Sequence, residues 1–442
     1  MSDAGLPILL IVLDGLGDRP CPQLDGQTPC EAANTPVLDA LAAAGTSGIH
    51  LPFGLGRATS SEHAHWAMFG YSTVPFPGRA ALEAYGVGHQ PPHDVAIFHL
   101  ALRAGEARGN QLFLGARARA QEDREYAAGL MQALAGRQVG EHVFELLPLR
   151  TGEAILVVRG ALSCDISDSD ALFDHLHPWM EPLPLSESAR PEHAARLAVT
   201  MRRWLQDSRR ILLGHPDNAV RRAMGLPALE VAVTKWASWI DPRLPGFSRH
   251  TGLRGAAVTD TALYRGLARI LGLSLIDIPY DETDPTGDMT RRLEAAAHLL
   301  RDADFVHLHV KATDEAAHTK CPELKRDVIA AIDRGLEPLG KLATRAVVAI
   351  TGDHASPSIG DLLHSGDPTP FLVIAPTVRP DDVQRFGERF AQHGNYGHLR
   401  AEDLLPLLVG LANKPFFKGH RPGPWLSHAL PSSPAAMPID EC

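Results

Sequence analysis

The sequence predicts an α/β protein, with a mostly parallel sheet flanked by helices and a smaller α+β unit inserted into it. Three observations point that way. Apolar, β-branched runs at Leu6 to Leu13, Ala303 to Val310 and Ala346 to Thr351 read as fully buried strands, and each is followed closely by carboxylate or imidazole residues. Helix signals alternate with these runs, as parallel strands require of their crossover connections. Composition then shifts after QPPHD, where the polar residues become arginine-rich, and the strand-helix rhythm returns after Pro242.

A chain of 442 residues exceeds what one hydrophobic core usually supports, so two domains are expected. Residues 1–90 and 245–442 read as a discontinuous core domain, and 91–244 as the inserted one. Composition, 45% hydrophobic and 21% charged, is that of an ordinary globular protein. A formal charge of -10 without a dense Lys/Arg block argues against a nucleic-acid partner, while local cations leave small anionic substrates open. The N-terminal run lacks a basic flank and is too short to span a membrane, so no membrane partner and a cytoplasmic location are expected. Five scattered cysteines without a CxxC pair give no disulfide framework and no cysteine zinc site. Nothing in the composition bears on oligomeric state.

Taken in order, Leu6 to Leu13 forms the first strand and delivers Asp14-Gly15 at its end. Thr35-Pro36 reads as helix cap and first turn, with VLDALAAAG running to a terminating Gly45. In ATSSEHAHWAMFGY, Ser60 or Ser61 falls at a helix N-terminus, where backbone N–H groups and the helix dipole favour an anion. The inserted unit shows strand candidates at Ala154 to Val158 and Ile211 to Leu213 and a helix candidate from Glu122 to Ala135. GLRGAAVTDTALYRGLARILGLSLIDI reads as loop, helix and strand. His307 and His309 alternate within the next strand and read as core-lining. Beyond it, Asp314 and His318 are four apart, so a helical start sets both on one face. Val328, Ile329, Ile332, Leu336 and Leu339 form a packing face.

The acids and imidazoles then make one pattern. Asp14, Asp314, Asp353 and His354 each follow a core strand, and His318 and His364 lie just beyond two of those ends. The C-terminal edges of a parallel sheet share one rim, the usual ligand site of such folds. With Ser61 counted, seven candidates could surround two divalent ions, and mixed oxygen and nitrogen donors suit manganese or zinc, with cobalt or magnesium also admissible. Paired ions would stabilise attacking and leaving oxygens in phosphoryl transfer and activate a serine hydroxyl.

The ordered set VLDG, SSEHAH, KATDEAAH, TGDH and HSGDPTP resembles the alkaline phosphatase superfamily, and within it the cofactor-independent phosphoglycerate mutases of archaeal type. The likeness extends through ANTPVLDALAAAG, FGYS, GRAALEAYGVG, HPDN and GLRGAAVTDTALYRGLARILGL. It implies an alkaline-phosphatase-like core with an inserted lid domain. It also implies that Asp314, His318 and His364 hold one metal, and that Asp14, Ser61, Asp353 and His354 hold the other. The family's SxxxH register selects Ser61, four before His65, as the residue transiently phosphorylated. Two departures stand out. Glu62 replaces the usual Asp after the nucleophile, and the arginine segments of the inserted domain correspond to GARARAQ, around Arg117 and Arg119, and VTKWASW, around Lys235. With Arg79 and Arg254 these are the candidate substrate-binding cations, and Lys is no substitute for Arg where a planar, bidentate grip is needed. The resemblance implies a small phosphorylated metabolite as substrate and interconversion of 2- and 3-phosphoglycerate. Alternatives are a phosphatase or phosphotransferase acting on another phosphorylated or phosphonylated metabolite, and a non-catalytic binding relative.

Overall fold

A computed structural model describes residues 5–170, 177–416 and 436–439. The chain divides into two compact units, Met1–Phe76 with Pro245–Cys442, and Pro77–Leu244.

The first unit is built on an eight-stranded sheet ordered Ser274–Asp277, Gly255–Thr259, Phe305–Val310, Ile8–Leu13, Val347–Thr351, Thr369–Ile374, Thr46–Leu51, His398–Arg400. The first five strands run parallel to one another. Thr369–Ile374 is antiparallel to both of its neighbours. Ile8–Leu13 is central and entirely buried, as its unbroken ILLIVL run requires of a strand covered on both faces. Leu9, Ile11 and Leu13 pack with Val306, Leu308, Val348 and Ile350 under the helices Pro285–Leu299 and Pro322–Gly335, which contribute Met289, Leu293, Ile329 and Ile332. Leu13 pairs with Val310 and Val12 with Thr351, so the residues that follow all three strands emerge at one level. That register converts three separate strand ends into a single rim.

Two expectations for this unit need correction. Gly255–Thr259 is a strand, not a loop, because the small GAAVT segment lies in register against Phe305–Val310 and gains its order from that pairing rather than from its own propensity. The packing face of Val328 to Leu339 also does not belong to one helix: Pro322–Gly335 ends before Leu336, and Leu339 opens a short separate turn.

The second unit is a seven-stranded, antiparallel sheet around the long Ala96–Arg108 strand, which pairs with Gln111–Arg117, Glu153–Arg159 and Val231–Ser238. The helices Arg124–Leu134 and Pro191–Gly214 bury Leu130, Leu134, Leu197, Met201, Trp204 and Leu212 with its apolar side chains. Ile211 to Leu213 is thus the end of a helix and no strand. Leu197, Met201, Trp204, Leu205, Ser208 and Leu212 are buried at helical spacing, and the triplet continues that stripe. The unit also begins earlier than the expected boundary near residue 90, because Arg79–Gly86 packs on Val231–Ser238, with Ala81 N–H donating to Ser238 Oγ (3.2 Å). Gly78, at φ +95, makes the turn into that helix; a Cβ there would sit 2.3 Å from Ser238 Oγ. No helix among the described residues is long and apolar enough to cross a membrane.

Candidate active site

The rim of the core sheet gathers the sequence-predicted residues. Asp14 follows Ile8–Leu13, Asp353 and His354 follow Val347–Thr351, and Asp314 and His318 lie on Ala312–His318, which follows Phe305–Val310. Asp14, Asp314, Asp353 and His354 are buried; His318 and His364 are partly exposed. Gly15, at φ +62, lets the chain turn away at once. A side chain there would collide with Asp314 Oδ1 and Ser356 Oγ, both 2.6 Å from its Cβ.

Ser61 is the first residue of the helix Ser61–Met68, and its Oγ lies 2.9 Å from His354 Nε2. Ser60 occupies the cap position but bonds His63 Nδ1 (2.9 Å) instead. His354 Nε2 is 3.2 Å from Asp14 Oδ1 and 3.5 Å from Asp353 Oδ2. His364 stacks on His354 with ring centres 3.8 Å apart. Its Nδ1–H donates to Thr59 O (2.9 Å), which leaves Nε2 as the free lone pair, 3.9 Å from Asp314 Oδ1. His318 Nε2 lies 3.1 Å from Asp314 Oδ2.

Electrostatics concentrate in the same place. Burial opposes ionisation of Asp14, yet the Lys311 ammonium, His309 and His354 hold its carboxyl well below the usual carboxylate range. Burial, with Asp14 alongside, pushes Asp353 up to about 6. Burial alone would lower His354, but Asp353, Asp14 and Asp314 raise it to about 9, whereas burial and the neighbouring His354 take His364 down to about 4.

Whether metal ions fit can be judged from these donors. Asp314, His354 and His364 offer ligand atoms all within 4.8 Å of one another, and so do Asp14, Asp353 and His354. His354 belongs to both sets, while His318 joins through its contact with Asp314 alone. Asp14 Oδ1 is buried beside His354 Nε2 (3.2 Å) but accepts no well-aligned hydrogen bond among the described residues, which leaves it lone-pair capacity for a cation. Three carboxylates and two imidazoles around that oxygen are a donor set suited to divalent ions.

Several contributors escape sequence reasoning. His309 is buried as expected, but Nε2 reaches Asp14 Oδ2 (3.0 Å), so it orients a candidate ligand. Lys311 Nζ bridges Asp14 Oδ2 (3.0 Å) and Asp314. Tyr264 OH donates to Asp14 and Asp353 (3.3 Å each), and Ser356 Oγ donates to Asp314 Oδ1 (2.6 Å). His65 Nδ1 bonds Ser61 O (2.8 Å) and so steadies the first turn of the helix Ser61–Met68.

The candidate substrate cations divide. Arg254 precedes Gly255–Thr259, at the edge of the sheet opposite the rim, and its guanidinium is engaged by Asp304 (3.0 Å). Position and partner remove it from the site. In the inserted unit Arg79 lies over the Trp236 ring (4.2 Å), and the buried Lys235 Nζ lies 4.5 Å from the same ring. Burial and the adjacent Arg117 lower Lys235 to about 8. Arg119 is half exposed and paired with Asp123.

Comparison with known proteins agrees with this arrangement. The metalloenzyme superfamily model matches residues 6–410. The 2,3-bisphosphoglycerate-independent phosphoglycerate mutase of Pyrococcus horikoshii is 34% identical over 419 residues, covering 92% of this chain and 97% of that protein. The enzyme named 2,3-bisphosphoglycerate-independent phosphoglycerate mutase 2 of Methanocaldococcus jannaschii is 33% identical over 431 residues, covering 96% and 97%. Among solved structures, a Pyrococcus horikoshii protein superposes with a TM-score of 0.75 at 29% identity, covering 94% of this chain and 100% of that one. The cofactor-independent phosphoglycerate mutase of Thermoplasma acidophilum does so at 0.64 and 30%, covering 92% and 100%. With its fold, its rim of acidic and imidazole side chains and its relatives in accord, this chain belongs to the metalloenzyme superfamily, among the 2,3-bisphosphoglycerate-independent phosphoglycerate mutases.

Proposed function

We propose that the protein interconverts 2-phosphoglycerate and 3-phosphoglycerate by way of a phosphoserine at Ser61. The observation that carries this reading is the 2.9 Å contact of Ser61 Oγ with His354, at the centre of a converging carboxylate and imidazole set. Asp314, His318 and His364 would hold one divalent ion, and Asp14, Ser61, Asp353 and His354 a second. Bound ions would lower the serine hydroxyl's pKa and offset the charge of the transferring phosphoryl group.

The remaining work falls to the chain itself. The bond from Ser61 Oγ to phosphorus forms as the bond from phosphorus to one glycerate oxygen breaks, and the serine proton passes on balance to that departing oxygen, which becomes a hydroxyl. The neighbouring glycerate hydroxyl then takes the phosphoryl group back, so no water is consumed and the serine is regenerated. Lys311, bonded to Asp14 and Asp314, keeps those carboxylates ionised and oriented. Lys235, with Arg117 and Arg79, supplies positive charge suited to the glycerate anion. Returning the phosphoryl group from the serine to a glycerate hydroxyl rather than to water is what distinguishes a mutase from a phosphatase that uses the same serine.

Incubation of the manganese-loaded protein with 3-phosphoglycerate, followed by phosphorus NMR, tests the proposal. Appearance of the 2-isomer is expected. Release of inorganic phosphate without the 2-isomer would replace the mutase reading with a phosphatase, and an unchanged spectrum would exclude phosphoglycerate as substrate.

A further inference from the structure

Behind the rim, on the helix Pro322–Gly335, Lys325 is completely buried. Its ammonium donates to Gly15 O (2.8 Å), Asp18 Oδ2 (2.9 Å), Ser356 O (3.0 Å) and Gly17 O (3.1 Å). Three N–H bonds therefore serve four oxygens, so at least one is shared. Three carbonyls and a carboxylate at these distances resemble the oxygen cage of a bound monovalent cation more than the single partner of an ion pair. Burying an ammonium costs several kcal/mol before its partners offset it, so an unpaired lysine would not persist there.

The cage oxygens come from the two loops that carry three of the seven proposed ligands, Asp14, Asp353 and His354. Gly15 is next to Asp14, and Gly17 and Asp18 continue the same loop; Ser356 is two residues after His354. Asp18 completes the joint, since its carboxylate accepts from Ser358 N (3.0 Å and 3.1 Å) and Ser358 Oγ. Ser356 N in turn donates to Gly17 O (3.0 Å), and Ser356 Oγ reaches Asp314. Lys325 thus touches backbone beside Asp14 and His354 and, through Ser356, bears on Asp314.

We propose that Lys325 is a positioning residue: its ammonium acts as a built-in monovalent cation that locks the 14–18 and 352–358 loops together and so preorganises the metal ligands. This rests on the metal-binding reading above, and the experiment keeps the two separable. Metal-free wild type and Lys325→Ala are titrated with Mn²⁺ by calorimetry in sodium-free, potassium-free buffer, with circular dichroism checking the fold. Lys325→Ala should bind Mn²⁺ on the order of tenfold more weakly, the scale seen when outer-sphere support of ligands is removed. Ammonium chloride should restore most of that affinity by filling the cage, and tetramethylammonium chloride, too large for it, should not.

A folded Lys325→Ala with wild-type affinity, or one that ammonium and tetramethylammonium affect equally, overturns the lysine's role. Wild type that binds no Mn²⁺ overturns the metal reading and this proposal with it. Should Lys325→Ala fail to fold, Asp18→Asn keeps the volume and removes one side of the cage. It should weaken Mn²⁺ binding severalfold, and undiminished affinity in that variant refutes the proposal.

Discussion

In the core unit the buried carboxylates Asp14 and Asp314 share one lysine, Lys311, with the buried Asp353 alongside Asp14. In the inserted unit the balance is reversed. The buried carboxylate Asp170 accepts from Arg103 (2.9 Å) and His177 (2.9 Å) and has Lys235 at 4.0 Å, while burial and then the charge of Arg117 lower Lys235. One region therefore gathers buried negative charge around Asp14, and the other keeps a buried ammonium below its ordinary pKa. A cation would relieve the first and an anion the second. On the proposed reading, the core unit would hold the metal and the inserted unit the phosphorylated acid.

The largest effect expected from this division is at Ser61. Ser61→Ala should lower kcat by about 10³-fold or more, because no other hydroxyl occupies the nucleophile's place, while manganese content by elemental analysis stays close to wild type. Normal turnover in that variant would end the covalent mechanism.

His309 offers a sharper probe of the rim, since it touches Asp14 without belonging to the proposed ligand set. His309→Ala should weaken Mn²⁺ binding by about 10- to 100-fold, measured by calorimetry, as removal of a ligand's hydrogen-bonded support does elsewhere. Lys235→Ala should do the opposite: leave Mn²⁺ affinity unchanged and reduce kcat/KM for 3-phosphoglycerate by about tenfold, the scale of one charged hydrogen bond. If Lys235→Ala altered metal affinity and spared kcat/KM, the division of labour between the units would collapse.

How much of this was legible in the sequence follows the same line. Asp14, Asp314, Asp353 and His354 could be read because each follows a segment recognisable as a core strand, and a parallel sheet brings such ends to one edge. Arg254 was misplaced because a family-like GLRG segment says nothing about which edge of the sheet it occupies; the strand beginning at Gly255 puts it at the wrong one. His309 was hidden because alternation inside a buried strand looks the same for a packed imidazole and for one aimed at a carboxylate. Tyr264 and Lys325 lie 250 and 310 residues from the Asp14-Gly15 loop they contact, on helices whose periodicity reports only packing. Ile211 to Leu213 failed for a local reason: three apolar residues fit either a strand or the last turn of a helix, and only the stripe from Leu197 onward decides.

The smallest effect concerns carboxylates left outside the charge balance of both units, Glu388 in the core and Asp168 in the insertion, which burial raises to about 7 and about 6. Glu388 is the more telling, being partly buried, with Thr28 Oγ1 donating to it (2.7 Å) and Asp18 N–H at 3.2 Å. Its folded-state pKa lies above the ordinary 4.5, so the folded protein binds the proton more tightly than the unfolded chain. The resulting stability is complete below about 4.5 and disappears as pH rises through about 7. A shift of that size corresponds at most to roughly 3 kcal/mol between those limits. Thermal unfolding of metal-free wild type and Glu388→Gln at pH 5 and pH 8 isolates it, because the loss expected from His354, raised to about 9, is common to both proteins. Wild type should lose more stability than Glu388→Gln on going from pH 5 to pH 8. Equal losses would mean that Glu388 is already ionised in the fold, its charge balanced by Lys325, and that the carboxylates behind the rim are as fully compensated as Asp170 is in the inserted unit.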